Sequence, residues 1–280
     1  MLAVALALSA SLCWGVADFA GGLFSRRLPA ALVVLVLETG GLLGACVVLA
    51  ITREAPPDGE SLVLAAIAGI AGTGGLVCFF RGLALGSMAV VAPVFASGAA
   101  VVPVFVGIAT GDAITTIVGL GLALAALGIL LASLESEHEA ERSRAARKAL
   151  GFALLGALGA AAFVVASDAA SDGSILWTLI VARAAAVPVL ALGVGLAGVR
   201  PPARRDLAAI GGIGLIDLVA TAFFGLAATE GALAIVAVLG AMYPVVTATL
   251  ARLVLKERIR RIQLAGVAFA LLGVALVAAG

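Results

Sequence analysis

Charge is what this sequence has least of. Asp, Glu, Lys and Arg make up 12% of the 280 residues, against about 25% in an ordinary soluble domain. That scarcity excludes a solvated globular surface. The net charge of +1 excludes a basic domain for nucleic acid. Histidine occurs once, as His138 in a polar run, so no imidazole is available inside the apolar segments for metal binding or for activating a nucleophile. Neither a metal site nor a cofactor is expected, nor an enzyme. The three cysteines, Cys13, Cys46 and Cys78, are scattered without CxxC spacing and read as small buried hydrophobes. No strand precedes the glycine clusters, so they form no nucleotide-binding loop and ATP-driven transport by this chain is not expected. The first apolar segment lacks a basic leader and reads as a first span rather than a cleaved signal peptide.

What is abundant is apolar length. Residues of the hydrophobic class make up 64% of the chain, and the mean hydropathy is +1.26. The apolar runs are roughly 20 residues long, which at about 1.5 Å per residue matches a hydrocarbon core of about 30 Å. They do not alternate in the way that barrel strands of about ten residues do. Ala, Leu and Gly dominate them, as suits helices packed closely through small residues. The fold class is therefore an all-α integral membrane protein. Punctuation predicts ten transmembrane helices, over about 2–24, 30–51, 61–83, 87–109, 113–133, 149–169, 175–199, 207–229, 232–254 and 261–279. The polar run SLESEHEAERSRAARK (133–148) separates five from five. The chain divides into a first repeat (1–133), a solvated linker (134–148) and a second repeat (149–280).

The halves resemble each other. A shift of 145 residues aligns 79–99 with 224–244, matching Phe79 with Phe224, Gly86 with Gly231, Ala89 with Ala234 and Val91 with Val236. Without a gap the register continues through Asp112/Glu257, Ile114/Ile259, Gly121/Gly266 and Gly128/Gly273, and it sets Glu38 opposite Arg183. Five is odd, so the second copy enters the membrane in the opposite sense. Inverted repeats of this kind place a transporter's site near the midplane, at the repeat interface.

The Trp14-Gly15 pair in the first span, the 5+5 arrangement and the stretch MYPVVTATLARLVLKERIRRIQLAGVAFALLGVAL (242–276) resemble the EamA-like branch of the drug/metabolite transporter superfamily. In that family a G-E-R-like turn precedes the last helix. Here the turn reads Lys256-Glu257-Arg258, with Lys where Gly is usual. The resemblance covers the whole chain and implies a multi-pass carrier of small metabolites in the plasma membrane. It also implies cytoplasmic termini and a basic residue in the second span, where this chain has Glu38 and its second repeat Arg183. The charge count points the other way on orientation. Loops after odd-numbered spans hold thirteen of the Lys and Arg residues and loops after even-numbered spans hold only Arg53, which places the odd loops in the cytoplasm and both termini outside.

Five ionisable residues stand within spans: Asp18, Glu38, Arg81, Arg183 and Asp217. A charge at a helix centre costs about 2.5–3.5 kcal/mol on insertion scales, so each should pair or face a water-filled cavity. Asp168 and Arg252 sit near span ends, where snorkelling accounts for them. Asp18 and Glu38 are expected roughly 10–14 Å from the same face, with Arg81 nearer that face and Arg183 descending from the opposite one. All five could line one cavity. In one reading Asp18 and Glu38 crowd each other and hold a coupling proton. In the other, Glu38 pairs with Arg183 and Asp18 with Arg81, as gates or structural ties. Trp14 shares a helix face with Asp18 and could receive a cationic or aromatic substrate, or simply pack. Tyr243, the one tyrosine, needs a partner for its hydroxyl. Trp177 reads as an interfacial anchor. Pro93, Pro103, Pro188 and Pro244 should bend spans four, seven and nine.

The leading expectation is a secondary transporter, an exporter of amino acids or related amphipathic compounds, proton-coupled in the reading where the carboxylates hold a proton. Its partners are a small-molecule substrate and the lipid bilayer, with no nucleic acid; a homodimer is left open. A membrane-embedded enzyme or a non-transporting assembly or lipid-interacting protein is the alternative. The first lacks an intramembrane histidine, and the second leaves five buried charges and an inverted repeat without a purpose.

Overall fold

The structure is a computed structural model that describes residues 1–110, 115–133, 140–170, 174–230, 233–257 and 260–279. Asp112, Ile114, His138, Gly231, Arg258 and Ile259 lie outside the described residues, and nothing is described of the side chains of Pro103, Asp168 and Ala234. Every described element is a helix: α1 (Leu2–Ser25), α2 (Ala30–Thr52), α3 (Gly59–Leu85), α4 (Met88–Thr110), α5 (Thr116–Ser133), α6 (Ala140–Ala170), α7 (Ile175–Leu196), α8 (Arg204–Glu230), α9 (Leu233–Gly240), α10 (Tyr243–Val254) and α11 (Arg261–Ala279). Among the described residues, seven helices are long and apolar enough to cross a bilayer: α1, α2, α3, α6, α7, α8 and α11. Shorter apolar stretches lie in α4, in α5 and across α9 and α10.

Two elements differ from the expectation drawn from the sequence. The polar segment before the sixth span is helical from Ala140, so α6 enters the bundle already formed. The ninth span is not one bent helix but two, α9 and α10, broken at Ala241 and Met242. Pro244 sits in the first turn of α10, where its missing N–H is harmless while its ring crowds the carbonyl of residue 240 and favours a break there. That residue is Gly240, a poor helix former. Pro93 and Pro188 have alanines four residues earlier, and α4 and α7 run through them. Helix starts follow local chemistry elsewhere. Asp58 caps α3 by accepting the Ser61 N–H at 2.8 Å. That amide, with the Ser61 hydroxyl, holds the exposed Asp58 carboxyl below the usual carboxylate range, so the cap is intact above that range and lost as pH falls through it.

Packing runs between the halves rather than within them. α3 packs most extensively on α6 and α1 on α8; α2 lies on α8 and α7 on α3; α4 lies on α6 and α1 on α9 and α10. The 145-residue shift exchanges the two members of each couple, and it maps the α5–α11 and α2–α7 contacts onto themselves. By contrast α1 touches α2, its neighbour in sequence, only lightly.

Small residues make these contacts possible. A Cβ at Gly69 would strike the backbone of Ala182, and one at Gly214 would strike the Leu37 carbonyl; the shift turns one contact into the other. Likewise Gly128 abuts Ala270 and the Gly266 carbonyl, while Gly273 abuts Ala125 and the Gly121 carbonyl. In lipid no hydrophobic force draws helices together, so such backbone approaches carry the association.

The core is uneven. Phe79, Phe80, Leu83 and the run Met88–Phe95 pack with Val33, Val34, Ala149 and Ala153 in the half of the bundle where α1 ends and α2 begins. At the opposite end the described buried positions are mostly alanines, among them Ala3, Ala7, Ala65, Ala68, Ala161 and Ala227, so side chains fill less of the space. Gly214→Val should lower the unfolding midpoint in detergent by the equivalent of about 1–3 kcal/mol. Gly151→Ala, at a position open for 4 Å around, should leave it unchanged.

Candidate functional site

The uneven core leaves a cavity of about 430 Å³ in the other half, lined by α1, α2, α3, α4, α6, α7 and α8. Two contacts define the faces on either side of it. Arg26, in the α1–α2 turn, pairs with Glu257, in the α10–α11 turn, at 2.8 Å. Glu257 in turn accepts the Ser87 hydroxyl at 2.8 Å and the Met88 and Ala89 N–H groups at 3.4 and 3.3 Å. Three turns therefore meet on what we term the basic face, and Glu257 satisfies orphan amides at the start of α4. On the opposite, terminal face the Trp177 indole donates to the Glu54 carbonyl at 3.1 Å, tying α7 to the α2–α3 loop.

At the cavity's inner end Arg183 of α7 reaches between α2 and α8. Its Nη2 donates to Asp217 Oδ2 at 2.7 Å. Its Nε lies 3.2 Å from Glu38 Oε2, a close ion pair without hydrogen-bond alignment. Arg183 and Glu38 are buried at 7% and 8% exposure. Room for the guanidinium comes from Gly41, where a Cβ would stand 2.8 Å from Nε. Trp14 faces the same cavity and shares its lining with Asp217 and Phe224. Its ring lies 5.4 Å from Phe224 and, edge-on, 6.4 Å from Tyr243.

Asp18 and Tyr243 line a second, smaller cavity of about 220 Å³ with Trp14, Leu76, Phe79 and Phe95. Trp14, Leu76 and Phe95 line both spaces, so they form the partition. The break between α9 and α10 puts Tyr243 at this wall.

The structure thus brings together Trp14, Glu38, Arg183 and Asp217, with Asp18 and Tyr243 next door. Two sequence expectations need correction. Arg81 is exposed and does not join the cavities, because α3 turns Phe79, Phe80, Gly82 and Leu83 inward. The Asp18–Arg81 pair does not form; the charged neighbour of Asp18 is Asp217, not Glu38 as the antiparallel hairpin suggested, since α1 packs on α8 instead of α2. Sequence reasoning missed Phe95 and Phe163, which line the larger cavity, and the reach of Glu257. Aromatics in an apolar run carry no signal, whereas Phe224 was marked by its repeat match to Phe79. Among the described residues no cluster could hold a metal ion.

The model of the EamA-like transporter family matches residues 1–134 and 147–279. The chain belongs to the EamA-like transporter family. It is accordingly a multi-pass membrane transporter of the drug/metabolite transporter superfamily, working on small molecules in a lipid bilayer. No curated protein matches it. A solved crystal structure aligns with a TM-score of 0.64 at 16% identity, covering 98% of this chain and 96% of its own, and shows a shared fold. The family's turn glycine explains one local strain: Lys256 holds φ at 54°, a left-handed conformation that Gly adopts freely and other residues at a cost of about 1–2 kcal/mol.

In this EamA-like bundle, removing Arg183 would leave Glu38 and Asp217 facing each other in the membrane. Arg183→Met should destabilise the protein by about 3–5 kcal/mol in detergent melts. Adding Glu38→Gln and Asp217→Asn should restore most of that loss without restoring transport, which separates the cluster's structural contribution from its functional one.

Proposed function

We propose that the protein is a secondary exporter of amino acids or related amphipathic metabolites in the plasma membrane, with ten spans in two inverted five-helix repeats and alternating access around the paired cavities. The observation that carries this reading is the asymmetry of closure. The basic face is sealed by the packed core around Phe79, Phe80 and Met88 and by the Arg26–Glu257–Ser87 contacts. Toward the terminal face the cavity walls are Phe163, Val164, Leu179 and Thr221, and the described buried positions there are mostly small, such as Ala3, Ala7, Ala65 and Ala227. A carrier must interchange such halves, and the symmetric contact couples supply a second arrangement of similar energy.

The positive-inside bias makes the basic face cytoplasmic, so this conformation faces outward. The Arg26–Glu257 pair is then the cytoplasmic latch, which opens for loading. Proton coupling belongs to the carboxylates of the site, Glu38 first, because Arg183 can release it when α2 and α7 part.

Four measurements test the proposal. Purified protein in liposomes should catalyse counterflow of labelled metabolites, and Glu38→Gln should flatten its pH dependence; an unaltered profile removes Glu38 as the coupling group. In a background with Cys13, Cys46 and Cys78 replaced by Ala, the buried Ser25→Cys should label slowly with an impermeant thiol reagent. Glu257→Gln should accelerate that labelling several-fold by loosening the latch. A reporter that is active only in the cytoplasm should stay dark when fused at the C-terminus.

A further inference from the structure

Asp18 differs from the other charges of the site in having no partner. Glu38 and Asp217 share Arg183, while Asp18 takes part in no ion pair or hydrogen bond among the described residues. A carboxylate midway along a membrane helix stays charged only beside a cation and otherwise takes up a proton. Its charged neighbour is another carboxylate, Asp217, and among the described residues the only other polar side chain on its cavity is Tyr243, apart from the Trp14 indole. The remaining walls are Phe79 and Phe95, stacked at 4.0 Å, and Leu76.

Taken together, the two adjacent cavities present three carboxylates and one guanidinium, and that guanidinium is engaged by two of them. An anion would meet only repulsion. A zwitterion would require a free guanidinium for its own carboxylate. A neutral solute would leave Asp18 protonated, with no charge to recognise. A cation satisfies Asp18 and meets aromatic rings, which attract it through their quadrupoles. The cavity offers few acceptors, so it suits an alkylated ammonium better than a primary one, which brings three N–H donors.

We infer that Asp18, walled by Trp14, Tyr243, Phe79 and Phe95, is the charge-recognising residue for a compact alkylated ammonium ion. This rests on the carrier reading above and, within its substrate class, favours cationic amphipathic metabolites over zwitterionic amino acids. The Glu38–Arg183–Asp217 cluster stays internally compensated beside the bound ion and supplies no charge to it.

The test uses the two tryptophans of the chain. Trp177→Phe leaves Trp14 as the single indole, and the purified full-length protein is titrated with choline and with its uncharged isostere 3,3-dimethyl-1-butanol. The expected result is a saturable change in Trp14 emission with choline and none with the alcohol. Asp18→Asn should weaken choline binding about tenfold or more, with an unchanged melting curve as the folding control, and Asp18→Glu should retain part of it. Equal responses to both probes, or choline binding untouched by Asp18→Asn, would overturn the inference. So would the absence of any choline response; in that case counterflow of an uncharged or anionic solute by the same preparation keeps the carrier reading and removes only the cation.

Discussion

The site depends on one packing constraint: helices from opposite halves of the chain approach until backbone meets backbone. Gly69 lies on Ala182 and Gly214 on Leu37, and the residues that follow Leu37 and Ala182 are Glu38 and Arg183. The same contacts that hold α2 to α8 and α3 to α7 therefore deliver a carboxylate and a guanidinium to each other. Asp217 lies one turn beyond Gly214 and completes the cluster. Larger residues at the glycines would separate the helices and with them the charges, which in a membrane interior cannot be left apart.

From that constraint the division of the bundle follows. Where the small residues give way to Phe79, Phe80, Leu83 and Met88, side chains fill the space and close the basic face. Where they do not, a cavity remains between α1, α2, α3, α4, α6, α7 and α8. Glu257 adds a polar closure to the apolar one, since its carboxylate satisfies α4 amides, Ser87 and Arg26 together. A polar closure in a turn can be broken and remade without repacking a core, which is what a carrier requires of the side that must open.

Exact symmetry is broken in two informative places. Glu38 faces Arg183 across the repeat, so the matched positions carry opposite charges and pair with each other. The fourth span is continuous while its repeat partner is split at Gly240 to Pro244. That split gives one half of the molecule a Tyr243 at the cavity wall, and the position in the other half is Gly98. The cavity on the Asp18 side is thus a one-sided feature of a two-fold framework.

How far the sequence carries this account depends on which interactions are local. Hydrophobic run length, the 145-residue register and the rarity of buried charge are written along the chain, so the helical class, the matching halves and the candidate residues Trp14, Asp18, Glu38, Arg183, Asp217 and Tyr243 were all legible there. Which of those residues meet was not. Sequence neighbours suggested Asp18 beside Glu38 with Arg81 as partner, but α1 turns from α2 to α8, and helix rotation carries Arg81 to the exterior. Contacts between helices depend on how ridges and small-residue grooves interlock across the whole bundle, and no single segment encodes that. The sequence by itself determined the elements and the charges they carry. Only the tertiary structure decided that Arg183 takes both Glu38 and Asp217, which leaves Asp18 alone with the aromatic rings.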